Sequence, residues 1–234
     1  MKKILFSLVA LVASMSMNAQ VMKVMKDGVE VAKYKGANYT VVFEEAPALG
    51  KTGTEKRTGN IDVNWVQLWE NGPRFAEYNV GVTDGKPESY GGYYCWGSSI
   101  DKDSNSAYKS GSDALTGDDD TATKLWGSAW RMPTQAELEA LLANCDVEWK
   151  AVNGVNGRKF TGKGDYASNF VFLPAAGYCI RGDVYGQGDV GYYWSSTLDG
   201  SGSPCRLYFD SGGQYVKYGY RSGGSSVRAV LAED

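Results

Sequence analysis

The 234-residue chain contains no histidine. The commonest general base is therefore missing, and serine or cysteine triads of the usual kind cannot be assembled. Imidazole ligation of a metal is excluded with it, and the four cysteines, Cys95, Cys145, Cys179 and Cys205, contain no pair at zinc-ligand spacing. A large excess of charge of either sign is also lacking. A formal net charge of -3 gives nucleic acid or an anionic membrane little to bind. The apolar run at 4–13 stops at half the length of about 20 residues that a membrane span requires. No cysteine follows that run, as lipid attachment would need, because the first cysteine is Cys95.

What the N-terminus does have is Lys2 and Lys3 ahead of the apolar run, then small residues leading to Ala19 and Gln20, the layout of a secretory signal. Residues 1–19 are therefore expected to be removed. Such a chain is exported to the periplasm, the cell surface or the medium, as a soluble protein that is neither a lipoprotein nor inserted in the membrane. Processing would leave 215 residues and, with two lysines and no acid lost, would move the charge to -5. That length supports one full domain plus an appendage, burying about 70% of the unfolded surface. Thirty glycines and sixteen tyrosines point to many short strands joined by tight turns. All four cysteines survive processing, and an even count in an exported chain favours disulfides. Of three possible connectivities, Cys179 with Cys205 is preferred because both flank the aromatic strand at 191–197, which leaves Cys95 with Cys145.

Residues 20–45 read as a β ribbon, with strands at 21–25, 29–34 and 39–43 and a tight turn at Asp27-Gly28. Residues 46–60, with Pro47, Gly50, Gly53 and Gly59 among charged residues and threonines, read as a linker. The main domain is placed at 61–234. Within it, Thr134-Gln135-Ala136-Glu137 forms a capping box that opens a helix with Leu138, Leu141, Leu142 and Cys145 on its buried stripe. Residues 118–125 predict a second helix with three acids at its start. Asp118-Asp119-Asp120 lacks the alternating order of a calcium loop, so no metal or other cofactor is assigned.

Strands are expected at 147–152, 158–161 and 169–173, with turns at Asn153-Gly154 and Asn156-Gly157. Extended structure restarts at 177–180, followed by a glycine-rich loop at 181–189 that contains Arg181-Gly182-Asp183. Strands at 205–210, 214–220 and 225–231 are expected to complete a sheet beside the run Gly191-Tyr192-Tyr193-Trp194-Ser195-Ser196-Thr197. Alternation turns Cys205, Leu207 and Phe209 inward and Arg206, Tyr208 and Asp210 outward, and sets Tyr215 and Lys217 opposite Val216.

Several short motifs then occur in a single order: Tyr78-Asn79-Val80-Gly81, Gly91-Gly92-Tyr93-Tyr94-Cys95-Trp96-Gly97, Trp130-Arg131-Met132-Pro133-Thr134, Asn153-Gly154-Val155-Asn156-Gly157, Phe172-Leu173-Pro174-Ala175-Ala176-Gly177-Tyr178, Tyr193-Trp194-Ser195-Ser196 and Ser226-Val227-Arg228-Ala229-Val230. Over residues 64–231 this order resembles the Fibrobacter succinogenes major paralogous domain of exported Bacteroidetes proteins. The resemblance implies an α+β, C-type-lectin-like fold, two helices on a small irregular antiparallel sheet, here preceded by the N-terminal β ribbon. Folds of that kind include glycan and protein binders and the formylglycine-generating oxidases. The oxidases use a reactive cysteine pair near the C-terminal end, whereas here Cys205 stands alone in the last quarter, so no catalytic residue is assigned. Trp194-Ser195-Ser196 stands where calcium lectins carry a Trp-Asn-Asp type strand.

The stretch between Tyr178 and Arg221 is rich in Tyr, Gly, Ser, Asp and Arg, the mixture that recognition loops use. Arg181, Tyr185, Arg206, Tyr208, Tyr215 and Tyr220 are the candidate ligand-contacting residues, whereas Trp130, Arg131, Trp194 and Arg228 are assigned to the framework. The reading is an exported, non-catalytic binding domain whose partner is a glycan or an extracellular surface protein. Two alternatives stand beside it: a structural subunit of a surface assembly docking through its ribbon, and a cryptic enzyme related to the oxidases.

Overall fold

The computed structural model describes residues 52–102 and 108–232 fully, and the backbone of five strands within the first 51 residues. The chain divides into two compact units, Met1–Leu49 and Gly50–Asp234. In the first, β1 (Lys2–Ser7) pairs in parallel with β5 (Tyr39–Glu44), while β2 (Leu11–Ser16), β3 (Val21–Lys26) and β4 (Val29–Lys35) form an antiparallel sheet. Asp27-Gly28, the expected turn, lies outside the described residues.

The second unit opens earlier than its sequence suggests. Residues assigned to the linker form β6 (Thr52–Arg57), which pairs antiparallel with β7 (Ile61–Gln67). Gly53 belongs there for a packing reason. A Cβ at this position would come 2.5 Å from the Trp65 indole lying across from it, so the glycine makes room for an aromatic neighbour. The sheet continues through β8 (Arg74–Ala76) and β18 (Val230–Leu231) to β9 (Trp130–Arg131), so the start and the end of the unit share one sheet. The segment at 225–231 therefore does not complete the sheet beside the aromatic strand, as expected. It crosses that strand at a single bridge, Tyr193 to Ser226, and then inserts between β8 and β9.

Helix is confined to α1 (Thr121–Trp126), α2 (Gln135–Asn144) and two single 3-10 turns among the described residues. The acidic run does not start a helix at 118. Asp120 is the N-cap of α1, its carboxylate accepting from the backbone N–H groups of Ala122 and Thr123, and Asp118 and Asp119 fall in the 3-10 turn before it. At α2 the capping box is present as read, with Thr134 and Glu137 exchanging hydrogen bonds. Leu138 and Leu141 are buried, and Cys145 closes the stripe as the C-cap.

The meander forms as β10 (Asp146–Val152), β11 (Val155–Thr161) and β12 (Phe170–Pro174). Only Asn153-Gly154 turns, with φ of 49° and 84°. Gly157 instead sits inside β11, where a Cβ would meet the Leu173 carbonyl oxygen at 2.3 Å, so this glycine serves close strand approach rather than a turn. Likewise the stretch at 181–189 is not all loop. Arg181 and Gly182, at φ 53° and 91°, turn β13 (Tyr178–Ile180) into β14 (Asp183–Tyr185). The last sheet is β15 (Gly191–Leu198), β16 (Pro204–Phe209) and β17 (Gln214–Tyr218), antiparallel in that order.

The fold is accordingly mostly β, with 40% of the chain in strand and four antiparallel sheets in the second unit, and the α+β, C-type-lectin-like expectation is overturned. The physical reason lies in where apolar surface is buried. One core gathers Trp96, Trp126, Trp130 and Trp194 between loops and the five-stranded sheet. The other packs α2 and the meander on the inner side of β15–β17 through Leu138, Phe160, Leu207 and Phe209. A six-residue and a ten-residue helix could not cover either one alone.

Arg228 binds the layers together. It is 2% exposed, and its Nε donates to Asn79 Oδ1 at 2.9 Å, Nη1 to the carbonyls of Ala76 and Glu77 at 3.1 and 2.7 Å, and Nη2 to the Phe172 carbonyl at 2.9 Å. Asn79 in turn donates to Tyr193 Oη, which donates to the Pro174 carbonyl. Burial lowers the Arg228 pKa to about 10, still cationic at neutral pH. Trp130 and Trp194 are fully buried and spend their indole N–H groups on the carbonyls of Lys56 and Tyr94. The Arg131 guanidinium grips both oxygens of Glu137.

The disulfide expectation is also corrected. All four cysteines are buried, and with Cys145, Cys179 and Cys205 as free thiols neither expected pair forms. Cys145 packs beneath α2, Cys179 contributes to a small cluster with Tyr93 and Ala176, the Cys205 thiol donates to Gln135 Oε1 at 3.1 Å and the Cys95 thiol to the Ser222 carbonyl at 3.2 Å. Each proposed pair is thus divided between separate packing environments.

Candidate functional site

The β15–β17 sheet has one face against α2 and the second core, and strand alternation sends Tyr192, Arg206, Tyr208, Tyr215 and Lys217 to the other. Register aligns these residues in two ranks across the three strands. Tyr192, Tyr208 and Tyr215 stand opposite one another in the first, and Trp194, Arg206 and Lys217 in the second. Ring centroids along the tyrosine rank are 5.1 and 5.0 Å apart with interplanar angles of 55° and 47°, so the rings lean together and each offers part of a face and part of an edge. The rank continues sideways into the β13–β14 hairpin, where Tyr178 meets Tyr192 edge-on at 5.3 Å and stacks on Tyr185 at 5.7 Å. Tyr185 and Tyr215 are 46% and 50% exposed, so the outer ends of this face are open to solvent.

The two cations are held by rings. The Arg206 guanidinium lies 4.3 Å from the Tyr192 centroid and 5.2 Å from that of Trp194, and Lys217 Nζ lies 3.8 Å above Tyr208. Gly219 fits closely beside Arg206, because a Cβ there would be 2.5 Å from its Nε. Arg206 Nη1 donates to Ser225 Oγ at 3.2 Å, but Nε is buried with no partner. Among the described residues no carboxylate forms an ion pair with Arg206 or Lys217. Burial lowers both pKa values, and the Arg206 charge lowers that of Lys217 further.

Asp210 is the acid nearest this face, and it is already engaged. It accepts from Tyr208 Oη at 2.6 Å and from the backbone N–H groups of Gly212 and Gly213 at 2.8 and 2.9 Å, which fixes the β16–β17 turn. Those bonds, that of Tyr208 first, hold its carboxyl below the usual range. The same hydrogen bond raises the Tyr208 hydroxyl above its ordinary value, so the tyrosine remains a protonated donor. The face therefore offers ring area, hydroxyl groups and positive charge, rather than an acid and base poised to exchange a proton.

Of the six candidates read from sequence, Arg206, Tyr208 and Tyr215 meet in the two ranks and Tyr185 joins them through Tyr178. The remaining two do not. Arg181 turns the far end of the hairpin from Tyr185, and Tyr220, 84% exposed, lies beyond the end of β17. Sequence reasoning missed Tyr178 and Tyr192. The inward Tyr193, stacked on Phe209, was the signal that its neighbour Tyr192 must face outward.

A cleft of about 480 Å³ lies elsewhere, between β6, β7 and β12, lined by Thr54, Asn64, Glu77 and Phe170 among others. Its polar groups already bind one another, Thr54 donating to Asn64 and Asn64 to Glu77. No three Asp, Glu or Cys side chains converge as a metal site among the described residues.

A family model described as a domain of unknown function, DUF8237, matches residues 146–230. The match runs from the start of β10 to the first residue of β18 and takes in the whole tyrosine face. It covers less than half of the chain. No curated protein and no solved structure matches the sequence.

Proposed function

We propose that this chain is an exported, non-catalytic recognition protein that binds a glycan through the outer face of β15–β17. The observation that supports the reading is the tyrosine rank with its neighbouring cations: five tyrosines in continuous contact, open at both ends, on a sheet whose opposite face is locked to the core. Aromatic faces take the C–H side of a sugar ring while their hydroxyls answer its polar rim. A rigid sheet holds them in place without an ordering cost. Export is argued from the N-terminal sequence, where Lys2, Lys3 and the apolar run precede Ala19.

A glycan array probed with the mature chain, followed by calorimetry on the best binder, tests the assignment. Tyr208→Ala and Tyr215→Ala, each folded by circular dichroism, should weaken binding at least tenfold, whereas Tyr220→Ala should leave it within twofold. Equal losses in all three, or none, would refute the placement. A surface protein captured with the same dependence on Tyr208 would retain the face and replace the ligand class.

A further inference from the structure

A second property of this face concerns the charge of what it binds, and it rests on the recognition role proposed above. Arg206 and Lys217 are directly opposite each other on neighbouring strands. Like charges so placed repel and destabilise a sheet. Proteins ordinarily set an acid between such a pair, and among the described residues none is there. The nearest carboxylate, Asp210, is committed to Tyr208 and to two backbone N–H groups. Tyrosine faces offset part of the cost through cation–π contact, at 4.3 Å for Arg206 and 3.8 Å for Lys217. They leave Lys217 with no anionic acceptor, and Arg206 Nε, though buried, with no acceptor of any kind. Burial and then Arg206 depress the Lys217 pKa, and the charge of Asp210, which forms no ion pair with it, offsets only part of that.

We infer that the ligand is an acidic glycan, whose carboxylate or sulfate group is seated at Lys217 and Arg206 while its sugar rings lie along Tyr192, Tyr208 and Tyr215. The juxtaposition is specific to this sheet. Arg158 and Arg228 spend their donors on oxygen acceptors inside the fold, and Arg57, whose Nε is likewise buried without a partner, stands opposite Ile61 and not opposite a second cation. An anion binding there converts a repulsive pair into a bridged one, so recognition and local stability are coupled.

Isothermal titration of the full chain with three probes tests this: a galacturonic acid hexamer, a chondroitin sulfate hexasaccharide and neutral cellohexaose, each at low and at physiological salt. The acidic hexamers should bind at least tenfold more tightly than the neutral one, with an advantage that shrinks as salt rises. The two acidic probes separate carboxylate from sulfate as the preferred group. Lys217→Gln should remove most of that advantage by weakening acidic binding far more than neutral binding, while Tyr208→Ala should weaken all probes that bind. If neutral and acidic hexamers bind equally and Tyr208→Ala weakens both, acid selectivity is overturned and the recognition face stands. If no probe binds more tightly than to Tyr208→Ala, both are overturned. Polyglutamate of matched charge binding as tightly as the acidic glycans, and insensitive to Tyr208→Ala, would also overturn the inference, because charge without sugar would then suffice.

Discussion

Replacing Arg228 by alanine should come close to unfolding the second unit. The guanidinium makes four hydrogen bonds to acceptors on two separate segments, residues 76–79 and Phe172, at 2.7 to 3.1 Å. At about 1.5–3 kcal/mol for each bond to a charged group the naive sum is about 6–12 kcal/mol. That sum is a ceiling, since the cation also gives up its own hydration cost when it is removed. The buried neutral acceptors left without a donor cost about 1–3 kcal/mol each before relaxation and water entry recover part, so a loss of about 3–5 kcal/mol is expected. Against a total stability of about 5–15 kcal/mol, this is the difference between a folded and a marginal protein. With a urea slope of about 2 kcal/mol/M the unfolding midpoint falls by about 1.5–2.5 M, read by tryptophan fluorescence and far-ultraviolet circular dichroism together. Arg228→Lys should recover less than half of the loss, because one ammonium cannot reproduce the planar fork that reaches four acceptors on two segments. A midpoint within about 0.5 M of the parent, at unchanged slope, would show that the layers do not depend on this residue.

Three further outcomes follow from the same structure. Burial raises the Glu137 carboxyl, but the hydrogen bonds from Arg131 and from the Thr134 N–H outweigh it, so its folded pKa lies below the ordinary value. Its stabilisation is then complete above the unfolded pKa of about 4.3 and is lost as pH falls through the folded value; Glu137→Gln should flatten the urea midpoint across that acid range. In the unreduced protein unfolded in urea, Cys145, Cys179 and Cys205 should be found alkylated by mass spectrometry, while native Cys145, whose thiol burial raises to about 12, should resist alkylation at pH 8. Gly191→Ala should cost about 1–3 kcal/mol by overpacking, since the new Cβ would fall 2.1 Å from the Phe209 ring, a loss read as a lower thermal midpoint.

Local chemistry was legible in the sequence wherever a short stretch decides its own conformation. The Thr134 to Glu137 box, the Asn153-Gly154 turn and the in-out alternation of 205–210 all depend on neighbours within a few residues. Arg228 was readable as a framework cation because an arginine among apolar neighbours must find acceptors within the fold. Long-range partners were not legible. Val230 belongs between Phe75 and Arg131, each about a hundred residues or more away, and nothing in 225–231 names them. Gly53 and Gly157 carry the composition of a linker and a turn, yet each makes room for a partner on another strand, Trp65 in one case and the Leu173 carbonyl in the other. The disulfides failed for the same reason: cysteine count and compartment say that thiols could pair, but packing decides whether they meet. As for the candidate site, outward tyrosines could be marked one strand at a time. Their alignment into a rank, and the opposition of Arg206 and Lys217, exist only once the register is fixed.

The most direct test of the central claim is the affinity of the mature chain for a galacturonic acid hexamer compared with cellohexaose, in the parent, Tyr208→Ala and Lys217→Gln proteins. The tyrosine variant should weaken both, and the lysine variant should weaken the acidic one about tenfold more than the neutral one, roughly the cost of losing one close charge pair. Unchanged affinity in both variants, with folding intact, would contradict the assignment of recognition to the β15–β17 face.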